Sequence, residues 1–166
     1  LRSLRPIHTL RRNRVRRRVN NASRVMFLCS GNICRSPFAA EYARGILPPS
    51  VDIISSGFHE VTGRPAPAQA VQSAREFGVD LASHRSERID KSTVDATDVI
   101  FIFEEKHRKA FKRSFPGNRA NVFYLGDLLP TSAFEIADPY GGGRERFRTA
   151  YLAIAHAIDF LDRRFA

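Results

Sequence analysis

The sequence predicts an α/β fold, a parallel sheet with helices on both of its faces. Three observations carry that prediction. Short apolar runs alternate along the chain with stretches of helical periodicity, the pattern that builds strand–helix–strand units. The run Val99-Ile100-Phe101-Ile102-Phe103 is apolar without alternation, as a central parallel strand covered on both faces must be. Near the C-terminus Phe147, Tyr151, Ile154, Ile158, Leu161 and Phe165 recur at spacings of four and three, giving one long helix a single apolar stripe.

The elements follow in order. Val25-Met26-Phe27-Leu28, within residues 24–28, reads as the first strand. Residues 36–47 suit a helix, with Ser36 able to cap it, Pro37 in its first turn and Phe38, Tyr42 and Ile46 on one face. Pro48-Pro49 stops it. Residues 51–55 read as the second strand, ended by Ser56-Gly57, and a loop containing Gly63, Pro65 and Pro67 follows. A helix over 68–77 stops at Gly78. After the central strand, 104–115 reads as a helix ended near Pro116-Gly117, and 121–125 as a short fourth strand. No repeat or internal linker marks a second domain.

Composition narrows the function classes. A chain of 166 residues with 43% hydrophobic content is one domain with enough length for a core. No apolar run approaches a membrane span, and no signal peptide is visible at the start. The two cysteines share one loop and make no disulfide framework, so a cytoplasmic setting is expected. The five histidines are scattered without ligand spacing, so no metal or other cofactor is expected. The net charge of +10 is local: residues 1–24 hold nine arginines and no acid, leaving 18 basic against 17 acidic residues beyond them. Residues 1–23 therefore read as a basic, flexible tail, and 24–166 as the domain. The tail could touch nucleic acid or an anionic surface, but it lacks the interleaved aromatics that stack bases.

The chemistry is concentrated in Cys29-Ser30-Gly31-Asn32-Ile33-Cys34-Arg35-Ser36-Pro37. A cysteine, five residues and an arginine, set between a strand and a helix start, lay out a phosphate cradle with a nucleophile at its base. Successive backbone N–H groups of such a loop point inward at an anion, and the helix dipole adds to them. Arg35 supplies a planar fork matched to two phosphate oxygens. The same positive field favours the thiolate of Cys29, which is the nucleophilic form. Gly31 and Asn32 tolerate the unusual backbone angles that a tight loop demands. A thiolate that attacks a phosphomonoester needs a general acid for the leaving group, and Asp138 in Asp138-Pro139-Tyr140 is the candidate.

This loop resembles the signature of the low-molecular-weight protein tyrosine phosphatases, and the resemblance runs from about Arg24 to the C-terminus. It implies a flavodoxin-like domain of four parallel strands. It implies that Cys29 is the nucleophile, Arg35 the phosphate clamp and Asp138 the acid, then the base that activates water against a phosphocysteine. Ser30, Gly31, Asn32, Ile33 and Cys34 would line the cradle. The Ser36 hydroxyl would assist the thiolate as a leaving group, and Tyr140 would wall the substrate slot. In the family a Ser and a His hold the Asn32 side chain, and Ser56 and His84 stand at matching places. The opposing wall falls on Phe58 or His59. Gly141, after Tyr140, replaces the second aromatic of many relatives. These departures resemble bacterial members tied to tyrosine autokinases and exopolysaccharide export, so a phosphotyrosine protein, such as an autokinase, is the implied partner.

Rival readings share the loop. Thioredoxin-coupled arsenate reductases need two cysteines beyond Cys29 and Cys34. Protein-arginine phosphatases carry Thr where this chain has Ile33, whose apolar side chain favours a phenyl ring over a guanidinium. A tail-driven binder of nucleic acid or membrane is the non-enzymatic alternative. Cys34, five residues from Cys29, could form a protective disulfide with it on oxidation, or could be a packing thiol.

Overall fold

A computed structural model describes residues 4–162. Four strands, β1 (Arg24–Cys29), β2 (Asp52–Gly57), β3 (Val99–Ile102) and β4 (Asn121–Tyr124), form one all-parallel sheet in the order β2-β1-β3-β4. The helices are α1 (Leu4–Asn20), α2 (Arg35–Arg44), α3 (Ala68–Arg75), α4 (Lys91–Asp95), α5 (Glu105–Ser114) and α6 (Arg144–Asp159), with a 3₁₀ turn at Leu125–Leu128. The α/β architecture expected from sequence is the architecture found.

Strand alternation divides the core in two. Val25 and Phe27 of β1, with Val99 and Phe101 of β3, face one layer that takes in residues of α1, α2, α3 and α6. Met26, Leu28, Ile100 and Ile102 face the other, against Val94 of α4 and Phe111 of α5. Burial on both sides explains why these strands carry apolar runs rather than alternating ones. The α6 stripe is buried through Leu161, whereas Phe165 lies outside the described residues. Phe38 of α2 stacks on Tyr151 of α6, ring centroids 3.9 Å apart and the rings nearly parallel.

The basic N-terminal segment departs from expectation. It is not an unstructured tail over its described part: it forms α1, and Val15 and Val19 of α1 are buried in the core. Arg11 pairs with the buried Asp127 at 2.7 Å, and Arg12 and Arg16 lie over the Phe160 ring at 3.9 and 4.3 Å. Two valines four residues apart, with arginine stems covering an aromatic ring, make a docking stripe that composition alone hides. The short α4 was also not expected; Asp90 caps it by accepting from Thr93 N at 2.7 Å.

Candidate active site

The loop 29–35 leaves the carboxyl end of β1, beside the point where strand order reverses between β1 and β3, the usual ligand crevice of such sheets. Its local folding differs from expectation at Ser36. Ser36 does not cap α2; the helix starts at Arg35, so Ser36 is its second residue, and its hydroxyl turns to the loop. Ser36 Oγ lies 3.0 Å from Cys29 Sγ and donates to Ser56 O at 3.3 Å. Asn32, fully buried, takes a left-handed φ of 52°. That conformation is held from several directions. Asn32 Nδ2 donates to Ser36 Oγ and Ser55 Oγ, both at 2.9 Å; Asn32 Oδ1 accepts from Glu87 N at 2.8 Å; and His84 Nε2 donates to Asn32 O at 2.7 Å. His84 thus stands where expected, but it meets the backbone of Asn32 rather than its side chain. The β2 hydroxyl that meets Asn32 belongs to Ser55, not Ser56, which contributes its carbonyl to Ser36. Adjacent strand residues point to opposite faces, so a slip of one position exchanges a side chain for a backbone.

Asn32 N donates to Cys29 Sγ at 3.3 Å. Arg35 is 1% exposed, and its guanidinium is divided. Nη1 donates to Glu104 Oε2 at 2.6 Å and to Ile136 O at 2.8 Å, while Nη2 meets Asp138 Oδ2 at 3.0 Å. Arg35 Nε is buried with no hydrogen-bond partner. The segment that carries Asp138 is pinned to the sheet, since Ile136 N donates to Phe103 O at 2.9 Å. Asp138 Oδ1 accepts from Tyr140 N at 3.2 Å. Tyr151 OH on α6 donates to Cys34 O at 3.2 Å, bracing the loop from behind. Burial pushes the Cys34 thiol up to about 12, with neighbouring Cys29 and Asp138 acting in the same direction.

A cavity of about 280 Å³ is lined by Cys29, Ser30, Gly31, Ile33, Cys34, Arg35, His59, Arg64, Asp138 and Tyr140. Of the Phe58-His59 pair, His59 lines the cavity, whereas Phe58 packs inward against the core layer that contains Met26 and Leu28. Tyr140 stands at the rim, 63% exposed. A larger cleft of about 690 Å³ backs onto Asp138 from the α6 side and contains neither Cys29 nor Arg35. Sequence reasoning missed three residues here: Glu104, Arg64 and His107. Arg64 Nη2 donates to Gly31 O at 2.7 Å and Nε to Val61 O at 3.2 Å, which holds a guanidinium against the cradle. Glu104 was legible in principle, because the register pairs Leu28 with Ile102 and sets the residues after β3 beside the loop after β1. Among the described residues no group of three or more His, Cys, Asp or Glu could hold a metal ion, and no helix is long and apolar enough to cross a membrane.

Residues 24–164 match the family described as low molecular weight phosphotyrosine protein phosphatase. The chain belongs to that family. A relative named "Probable low molecular weight protein-tyrosine-phosphatase EpsP", from Ralstonia nicotianae, is 33% identical over 135 residues, covering 81% of this chain and 90% of that protein. A protein-arginine-phosphatase from Geobacillus stearothermophilus is 31% identical and covers 83% of this chain and 93% of its own length. The crystal structure of Erwinia amylovora tyrosine phosphatase amsI superposes with a TM-score of 0.78 at 29% identity, covering 84% of this chain and 91% of that one. This phosphatase therefore has the fold of its relatives, with α1 lying wholly ahead of the matched segment.

Proposed function

We propose that this phosphatase hydrolyses phosphotyrosine in proteins through a phosphocysteine intermediate. The observation that carries the reading is the convergence on one cavity of Cys29 and Arg35 from the loop after β1 with Asp138 and Tyr140 from the segment ahead of α6, more than a hundred residues later. The Cys29 thiolate attacks phosphorus; the bond to the tyrosine oxygen breaks, and Asp138 donates the proton that the phenolate takes. In the second step Asp138 accepts a proton from the water that attacks phosphocysteine, and inorganic phosphate leaves. Ser36 Oγ, 3.0 Å from Cys29 Sγ, is placed to turn its one proton from Ser56 O to the departing thiolate. The unpartnered Arg35 Nε and the loop amides supply donors for the phosphoryl oxygens.

Ile33 and Tyr140 give the slot apolar and aromatic walls, and Arg64 beside Gly31 disfavours a cationic guanidinium at the same place. Both features support phosphotyrosine over phosphoarginine, the substrate class printed in the name of a relative of similar identity. The test is turnover of phosphotyrosine, phosphoserine and phosphoarginine peptides, with Cys29→Ser alongside. The expected result is turnover of the first alone, abolished by Cys29→Ser. Equal or faster phosphoarginine turnover overturns the substrate reading, and turnover that survives in Cys29→Ser overturns the mechanism.

A further inference from the structure

His107, the third residue of α5, is absent from the cavity lining yet is 1% exposed and fully engaged beneath it. Its Nδ1 faces two donors, Phe103 N at 3.3 Å and Glu104 N at 3.2 Å. A ring nitrogen that accepts must hold a lone pair, so the ring proton resides on Nε2. Nε2 lies 3.0 Å from Ser30 Oγ and therefore donates to it. Ser30 is the first residue of the cradle, and its carbonyl accepts from Phe58 N at 2.9 Å and His59 N at 3.0 Å. The Phe58 ring stacks on the imidazole at 6.4 Å. Glu104, whose N–H the imidazole receives, is the carboxylate that holds Arg35 Nη1.

We propose that His107 is a positioning residue of the phosphate site: a neutral imidazole that ties Ser30 of the cradle to the backbone presenting Glu104, and through Glu104 to Arg35. Ser30 follows β1 and Glu104 follows β3, and the imidazole spans them with one acceptor and one donor. A protonated ring would aim a second N–H at two backbone N–H groups, so only the neutral form fits. The environment enforces that form: burial pushes the imidazole down to about 3, with Arg35 and Lys106 acting in the same direction and Glu104 opposing. The inference rests on the phosphatase reading above, which identifies the cradle as the phosphate site.

The test separates the two hydrogen-bonding edges. Asparagine at 107 can present an acceptor near the position of Nδ1 but no donor that reaches Ser30; glutamine can present a donor near Nε2 but no acceptor for Glu104 N. His107→Asn is expected to lower kcat/KM on a phosphotyrosine peptide about three- to tenfold, the scale of one lost hydrogen bond, and to weaken inorganic phosphate binding by a similar factor. Ser30→Ala is expected to give the same loss, with the double variant no worse than either single one. His107→Gln is expected to keep the Ser30 link and more of the phosphate affinity than His107→Asn. In the wild-type protein, ¹⁵N spectra should show His107 as the neutral Nε2–H tautomer from pH 5 to 8. Wild-type kcat/KM in His107→Asn, multiplicative losses in the double variant, or an imidazolium at pH 6 overturns the proposal. The spectrum needs no folded variant, and phosphate binding needs no turnover, so both remain decisive if phosphotyrosine proves to be the wrong substrate.

Discussion

Alanine at Gly57 would press a methyl group into the back of the cradle. A Cβ there lies 2.8 Å from Asn32 N and 2.9 Å from the Gly31 carbonyl carbon, whereas ordinary contact begins at 3.4 Å. About 0.6 Å must be found on one side or the other. Neither side yields easily. Gly57 N donates to Glu87 O and Gly57 O accepts from Ile89 N, both at 2.9 Å, and the residue is in register with Cys29. Asn32 is held by Ser36, Ser55, Glu87 and His84. Overpacking of this kind costs about 1–3 kcal/mol. At this chain length 2 kcal/mol lowers Tm by roughly 4–8 °C. The displacement falls on the amides of residues 31 and 32, and a shift of several tenths of an ångström in positioned groups costs roughly ten- to a hundredfold in rate. Gly57→Ala is therefore expected to lose both stability and kcat/KM, measured by thermal denaturation and by phosphotyrosine turnover. Gly143→Ala is the control, because a Cβ there meets nothing within 4 Å and its φ of −77° suits any residue. A Gly57→Ala protein within twofold of wild-type kcat/KM and within about 1 °C in Tm would refute the account of a rigidly backed cradle.

Acid stability should report His107. Its folded value of about 3 lies below the ordinary 6.5, so the neutral ring stabilises the fold above pH 6.5, and that contribution is lost as pH falls toward 3. Between pH 6.5 and 5 wild type should lose up to about 1.4 kcal/mol per pH unit relative to His107→Gln in denaturant titrations; the comparison cancels Asp127, whose carboxyl is raised by burial and acts with opposite sign. Cys34, with its thiol pushed up to about 12, should resist carboxymethylation at pH 7 while Cys29 reacts, as read by mass spectrometry of the modified peptide. Reaction at Cys34 first would contradict its burial. Val15→Asp should release α1 by placing a carboxylate in the core, lowering Tm and exposing the amides of residues 8–20 to rapid hydrogen exchange while the sheet stays protected.

What was legible in the sequence, and what was not, divides along physical lines. β1, β3 and α6 were readable because burial on both faces or on one stripe leaves an uninterrupted or strictly periodic apolar pattern. The cradle was readable because its chemistry is local: Cys29, Asn32 and Arg35 act within one turn of chain. α1 was not, because the two valines it buries, Val15 and Val19, stand among arginines and its partners, Asp127 and Phe160, are more than a hundred residues away. Ser36 was read as a helix cap from its position, but the hydroxyl has better partners in Cys29 and Asn32. Ser56 and Ser55 were exchanged because a strand's facing cannot be set to one residue without its register. Glu104, Arg64 and His107 were missed because each joins the site through tertiary contact alone.

Those missed residues change how the anion site works. Arg35 carries one positive charge, and the Glu104 carboxylate at 2.6 Å already offsets it, while Asp138 Oδ2 occupies Nη2 at 3.0 Å. Lys106, 3.0 Å from Glu104, returns part of that charge from the surface side. Arg35 by itself is therefore a poor attractor for a phosphate dianion. Its contribution is geometric: with Nη1 fixed by Glu104 and Ile136 O, the planar group can point its unpartnered Nε in one direction only. The attraction must come from groups whose charge is not spent inside the protein, namely the loop amides and Arg64, which reaches the cradle through a carbonyl rather than a carboxylate. Clamp and attractor are different residues in this site, and His107 keeps the cradle and the clamp in register.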